Sequence, residues 1–430
     1  MKTVAEIYPR VYKSNTRDRV FVRFSGSDED EADLKIKIQP MEKYSAKHVS
    51  YRVDEEEERY PYVDLLKLED NLYCVDYDFF TEQKYTAKIK IGDSNPRTFF
   101  LYSVDEDLAA MNPYKGDTHL HTCRSDGKGT PFEVGCAFRA CGFDFIAITD
   151  HQKHFPSIEA RDIFRRMTEE FCVYPGEEIH NKGMGYFHIV NFGSEKSITG
   201  DMGRYRPILE EKAQRLIEST DFSSVPDPYN TAWRIAVADE IRALGGVAIM
   251  AHPYWATFGQ YHMQTDDVLY LWRHGHYDAL EVIASCDGNG NGNNLQEALR
   301  AELLYEGIKV PVVGASDAHT VNPEKSDEHF NIQYTVAFAP ALDKIKEAIL
   351  DERSVAVFDR GGGDFHVVGR FRYVKYARFL LGEYFPQYRR LTEEHSAALA
   401  ALGEEGQRSE AVALIEEKIE AFRKKFFSFK

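Results

Sequence analysis

Long apolar runs are missing from this chain. No stretch approaches the roughly 20 consecutive apolar residues that cross a bilayer as a helix. Cysteine is sparse: Cys74, Cys123, Cys136, Cys141, Cys172 and Cys286 form no Cys-x-x-Cys pair. That excludes a zinc ribbon and a thioredoxin-like site and fits reduced thiols. Positive charge is short as well. Lys plus Arg number 53 against 70 Asp plus Glu, a formal charge of −17. This sign opposes nonspecific binding to nucleic acid. It leaves an anionic substrate open, because bound cations invert the field locally. The first residues, Met1-Lys-Thr-Val-Ala-Glu6, have no apolar core of signal-peptide type. No internal repeat or low-complexity tract stands out. The expected protein is cytoplasmic, without a membrane partner.

What is present is the composition of an ordinary globular protein. The 430 residues are 43% hydrophobic and 29% charged, which is compatible with two or three domains. Residues 1–113 read as all-β and sandwich-like. Leu34-Lys-Ile-Lys-Ile38 and Tyr85-Thr-Ala-Lys-Ile-Lys-Ile91 alternate with period two, as does Val20-Phe-Val-Arg-Phe24, so each buries one face. Turn residues such as Ser25-Gly-Ser27 and Gly92-Asp-Ser-Asn-Pro96 separate them. The acidic runs Asp28–Glu31 and Asp54–Glu58 read as solvated loops.

From Pro113 to about residue 360 the pattern changes to α/β. Apolar runs at 143–148, 171–174, 186–190, 246–250, 279–283 and 310–313 alternate with helix candidates at 159–170, 235–244 and 295–305. Gly142, Gly245 and Gly307 end helical patterns just before strands. Such strands, apolar on both faces, predict a parallel sheet covered by helices, open or closed into a barrel. Residues 361–430 read as a helical extension. Val412, Ile415, Ile419, Phe422 and Phe426 make a stripe that is expected to pack on the barrel or a preceding helix.

The chemistry gathers where the apolar runs end. Asp117-Thr-His119-Leu-His121 places two imidazoles two residues apart, on the same face of a strand. Asp126 follows in Ser-Asp-Gly. Later come Thr149-Asp-His151, Pro175-Gly-Glu-Glu178-Ile, His188, Ala251-His252-Pro and Ser316-Asp317-Ala-His319. The carboxyl ends of parallel strands converge on one face. Left unpaired there, these groups would carry a large desolvation and repulsion cost, which metal ions relieve. Imidazole and carboxylate without thiolate suit zinc, manganese or iron. Six histidines and three carboxylates exceed the needs of one ion but suit two or three with open positions.

This set resembles the ligand signature of the PHP family, the polymerase and histidinol phosphatase superfamily of metal-dependent phosphoesterases. The resemblance covers about 114–360, with the motifs in the family's order. It implies a distorted (β/α)7 barrel carrying a trinuclear site. His119, His121, Glu178 and Asp317 would hold the first ion. Glu178, His188 and His252 would hold the second, with Glu178 bridging, and Asp126, His151 and His319 the third. Glu177 competes for the bridging role, and the family spacing favours Glu178. Catalytic roles fall to Glu178, Asp317 and His319, and the implied reaction is phosphoester hydrolysis through a metal-bridging hydroxide. Asp117 and Asp150 are expected to orient neighbouring histidines. His180, where relatives carry a small hydroxyl residue, is either a substrate contact or a polar strand end, and His154 is similar.

Arg124 and Lys153 are candidate phosphate grips, and Tyr254 and Trp255 candidate pocket walls. His262, His274, His276 and His329 read as loop or surface histidines, and Cys123 has no assigned role. Gly288-Asn-Gly-Asn-Gly292 reads as a flexible rim. There is no Gly-x-Ser-x-Gly elbow and no Gly-x-x-x-x-Gly-Lys phosphate loop. The expected substrate is a small phosphomonoester, a nucleotide-type phosphate or a phosphodiester, not a long nucleic acid. A C–N hydrolase of the amidohydrolase type also opens with His-x-His, but it usually closes with a lone Asp and often bridges with a carboxylated lysine. A noncatalytic, metal-dependent binding role is the third reading. Self-association has two candidate surfaces, the C-terminal helix and the β-domain.

Overall fold

A computed structural model describes residues 3–26, 33–42, 60–180, 188–257, 259–284, 291–321 and 330–430. The two acidic runs, His329, Cys286 and most of the Asn/Gly rim lie outside the described residues. The chain divides into two compact units. One holds residues 1–111, 382–384 and 417–430, and the other 112–381 and 385–416. No helix among the described residues is long and apolar enough to cross a membrane.

The smaller unit has two sheets. Thr3–Tyr8, Thr16–Ser25, Leu72–Phe79 and Leu66–Glu69 form one, in that spatial order. Val11–Lys13, Arg97–Val104, Gln83–Ile91, Leu34–Pro40 and Val63–Asp64 form the other. The alternation has the expected effect. Tyr85, Ala87 and Ile89 are buried while Lys84, Thr86, Lys88 and Lys90 are not. Val20, Val22, Ile36, Ile38, Tyr85 and Leu101 share one core. The helical stripe is divided: Val412 and Ile415 belong to the larger unit, and Ile419, Phe422 and Phe426 to this one. Residues 417–430 belong to this β-rich unit, where Tyr384 stacks on Phe422 and Phe427 bridges Val11.

The larger unit also carries two sheets. The first runs Cys172–Tyr174, Phe145–Ile148, Asn112–Leu120, Gln333–Ala339, Ser354–Asp359 and Phe365–Gly369. The second runs Gly176–His180, His188–Phe192, Val247–Met250, Ala279–Ile283 and Val312–Gly314. Isolated bridges from Leu120 to Ala318 and from His151 to Glu178 join them. The parallel expectation holds for only part of this array. Asn112–Leu120 pairs in parallel with Phe145–Ile148, and Ala279–Ile283 with both its neighbours. Gly176–His180, His188–Phe192 and Val247–Met250 pair antiparallel, as do the strands from 333 to 369. Only seven residues join His180 to His188, and a parallel crossover needs a dozen or more.

Phe145–Ile148, Val247–Met250 and Ala279–Ile283 are buried throughout, as strands covered on both faces must be. Helix ends carry their own signals. Thr130 and Glu133 form a capping box with Pro131 at the first turn, and Asp227 caps Pro228–Ala243. Gly245 has φ +79° and open space where a Cβ would stand, so its backbone conformation, not crowding, calls for glycine.

Candidate metal centre

The fold carries the histidine-bearing strand ends to one place. Asn112–Leu120 is almost entirely buried, and its end delivers His119 and His121 with their Nε2 atoms 3.2 Å apart. Glu178 lies 0% exposed in the middle of the cluster. Its Oε2 is 2.7 Å from His151 Nδ1 and 3.4 Å from Nε2 of both His119 and His121. Its Oε1 is 2.6 Å from His188 Nδ1 and 3.5 Å from His252 Nε2. Asp317 Oδ1 lies 3.0 Å from His121 Nε2 and 3.3 Å from His119 Nε2. Asp126 stands with His151 and His319, each at 3.5 Å. All nine residues read as ligands from the sequence therefore lie in one cluster.

Hydrogen bonds satisfy only part of the cluster, such as His121 Nε2 with Asp317 Oδ1 at 3.0 Å. Both Glu178 carboxylate oxygens, both ring nitrogens of His252, and Nδ1 of His151 and His188 are buried without a hydrogen-bond partner. Buried polar atoms are normally satisfied. The unsatisfied atoms of Glu178, His151, His188 and His252 face one another across a shared space. Among the described residues, four groupings have candidate ligand atoms within 4.8 Å of one another: His121, Asp126, His151 and His319; His119, His121 and Asp317; His188, His252 and His262; and His119, His252 and Glu281. The donor set fits divalent metal ions.

Electrostatics follow from this crowding. Burial opposes charging His151, but Asp126 and Glu178 raise it to about 10. His319 is likewise desolvated yet raised to about 9 by Asp126 and Asp317. The Glu178 carboxyl resists burial and is held well below its usual range by His188 and His119. Two residues of the cluster sit in strained backbone. His252 has φ 24° and Asp317 φ 51°, in the left-handed region that costs a non-glycine residue energy. At Gly127 a Cβ would meet the His121 backbone at 2.7 Å, so the Ser-Asp-Gly turn that presents Asp126 requires glycine.

The two adjacent glutamates separate cleanly. Glu178 faces the histidines. Glu177 points the other way and accepts from Ile198 N at 2.8 Å, Ser197 Oγ at 2.9 Å, Asn191 Nδ2 at 3.0 Å and Thr199 N at 3.2 Å. Asp117 and Asp150 do not touch imidazoles. Asp117 accepts from the backbone of His119 and Ser316, and Asp150 from Thr122 and Ser125. They brace the loops rather than the rings. The group that does orient a ring is Glu281. This fully buried carboxylate is 2.8 Å from His119 Nδ1 and accepts from His252 N at 3.0 Å. In the sequence it is concealed within an apolar strand. Its signal was a lone acid in Ala279-Leu-Glu-Val-Ile283, where burial demands a partner.

Among the other candidates, His180 packs edge-on to His151 with ring centroids 4.7 Å apart. Trp255 stands 5.3 Å from the His252 ring and 5.9 Å from that of His188. His154 Nε2 binds Ser194 O at 2.9 Å and is a buried structural residue. Tyr254 packs in the apolar core among Met250 and Trp233. Arg124 is paired with Glu159 at 2.6 Å, and Lys153 donates to the Arg124 carbonyl. His262 departs from the surface reading. Its ring lies 4.9 Å from that of His188.

Neither a family model nor a curated protein matches the chain. Solved structures do. A two-domain protein from Bacteroides vulgatus, named as containing a predicted PHP-like metal-dependent phosphoesterase, is 19% identical with a TM-score of 0.38, over 58% of this chain and 66% of that one. The chain thus spans just under two thirds of that protein. A candidate metal-dependent phosphoesterase from Bifidobacterium adolescentis is 19% identical with a TM-score of 0.35, over 48% and 89% of the two chains. An amidohydrolase from Chromobacterium violaceum with bound sulfate is 19% identical with a TM-score of 0.31, over 48% and 87%.

Proposed function

We propose that this protein is a metal-dependent phosphoesterase of PHP type acting on a small phosphorylated substrate. Glu178 carries the reading: a wholly buried carboxylate whose two oxygens face different sets of imidazoles without bonding to them. This arrangement supports a bridging role for it. His119, His121 and Asp317 complete one ligand set with it, and His188 and His252 another. Asp126, His151 and His319 make the third. Bound ions supply a water of lowered pKa and neutralise phosphate oxygens. The chain's own groups prepare the site. Glu281 accepts the Nδ1 proton of His119 and so turns the Nε2 lone pair toward the centre. His180 and Trp255 flank the histidines and would border a bound substrate. Arg124, already paired with Glu159, would have to leave that partner to grip a phosphate.

The amidohydrolase reading is weaker because a glutamate, not a lysine, stands between the ligand sets. One experiment decides. Ion content is measured by elemental analysis, and turnover is measured on phosphomonoesters, phosphodiesters, N-acyl compounds and nucleobases, for wild type and His121→Ala. The expected result is about two to three ions per chain and phosphoester turnover that the variant loses while keeping its fold. Turnover confined to amide substrates, or unchanged in the variant, refutes the proposal.

A further inference from the structure

We infer that the second ion of this centre is held by His262 as well as by His188, His252 and Glu178, a nitrogen-rich set that selects zinc over manganese. This rests on the metal-centre reading above and extends it to a residue that the family pattern does not contain. The ligand atoms of His188, His252 and His262 lie within 4.8 Å of one another. Three nitrogens around a tetrahedral zinc at about 2.1 Å are roughly 3.4 Å apart, so small side-chain adjustments close the set.

The backbone builds this placement. After His252 the chain forms a short antiparallel pair, Ala256–Thr257 with Gln260–Tyr261, and turns back on itself. His262 N then donates to Trp255 O at 3.0 Å, and Met263 N to Pro253 O at 3.2 Å. The return sets the His262 ring against Trp255, 4.3 Å between centroids, and edge-on to His188 at 84°. Trp255 so limits the rotation of the imidazole.

The donor chemistry differs between the ligand sets. The set with His119 and His121 has two carboxylates, Glu178 and Asp317. The set with His188 has only the shared Glu178. Imidazole donors suit zinc, whereas carboxylates suit manganese and magnesium. His262 therefore sharpens a difference already present and leaves the second ion fewer open positions than the three-residue pattern would.

The test uses full-length protein stripped of metal, titrated with zinc and then manganese against a chromophoric chelator. Wild type, His262→Ala and His262→Phe are compared, with circular dichroism as the folding control. The phenylalanine variant keeps a ring against Trp255. Wild type is expected to hold zinc at one site more tightly than manganese. Both variants should lose more than about 100-fold in zinc affinity at that site alone, beyond the 10–100-fold of an outer partner. The visible absorption of cobalt bound there should change with the lost imidazole. A loss of no more than about 100-fold in folded variants, with an unchanged cobalt spectrum, overturns the role of His262 and leaves the centre standing. Wild type that takes up no zinc overturns the centre itself.

Discussion

Replacing Glu281 with glutamine tests whether the centre is organised from behind its ligands. The substitution keeps the shape and removes the charge. Wild-type Glu281 accepts from the Nδ1 side of His119 at 2.8 Å and from His252 N at 3.0 Å. A glutamine offers one acceptor oxygen and presents an NH2 group to the other donor, so one of two buried bonds is lost. A hydrogen bond to a charged group contributes about 1.5–3 kcal/mol. The loss of an outer carboxylate on a metal-bound histidine weakens metal affinity about 10–100-fold, which is about 1.4–2.7 kcal/mol. The two routes agree, so the expected loss is about 2 kcal/mol at the sites that include His119 and His252. Zinc titration against a chromophoric chelator, on wild type and Glu281→Gln, measures it. The site of Asp126, His151 and His319 serves as an internal control and should keep its affinity. Equal zinc affinity at every site in both proteins would refute the reasoning.

Two further outcomes probe the frame. Glu177→Ala removes an acceptor from at least four buried or half-buried donors, so it should cost on the order of 3 kcal/mol or more. A fall in Tm with an unchanged ion count is expected, and a lost ion with unchanged Tm would contradict the division between the two glutamates. Glu416 resists burial but is pushed down to about 2 by His395, Thr168 and Arg408. Its folded pKa lies below the ordinary 4.5, so its stabilising effect is complete above that pH and fades as pH falls toward 2. The Tm difference between wild type and Glu416→Gln should shrink over that window, and a constant difference would refute it.

Much of the centre was legible in the chain because its signals are local. A His-x-His pair at a strand end fixes two imidazoles on one face by the pleat alone. Alternating burial in Gln83–Ile91 and the glycine stops are read the same way. What stayed hidden depends on contacts distant in sequence. Glu281 lies 162 residues from the His119 ring it holds, inside a strand that otherwise reads as core. His262 returns to the site only because a short hairpin closes, and the chain spells neither its register nor its ring partner. Asp117 and Asp150 were expected beside imidazoles, yet a short aspartate at a strand end reaches main-chain N–H groups first. The antiparallel turn of His188–Phe192 was a connection-length problem hidden by uniformly apolar strands.

The left-handed backbones of His252 and Asp317 give cation loading a mechanical side. Each such residue holds a conformation costing about 1–3 kcal/mol, and each sits where a strand has just ended. With the proposed cations bound, the surrounding chain would work as a sprung clasp with its catch at the centre. Emptying the clasp frees two peptide segments to settle elsewhere, so the metal-free and loaded proteins should differ most around these two hinges, while the strands behind them stay where they are.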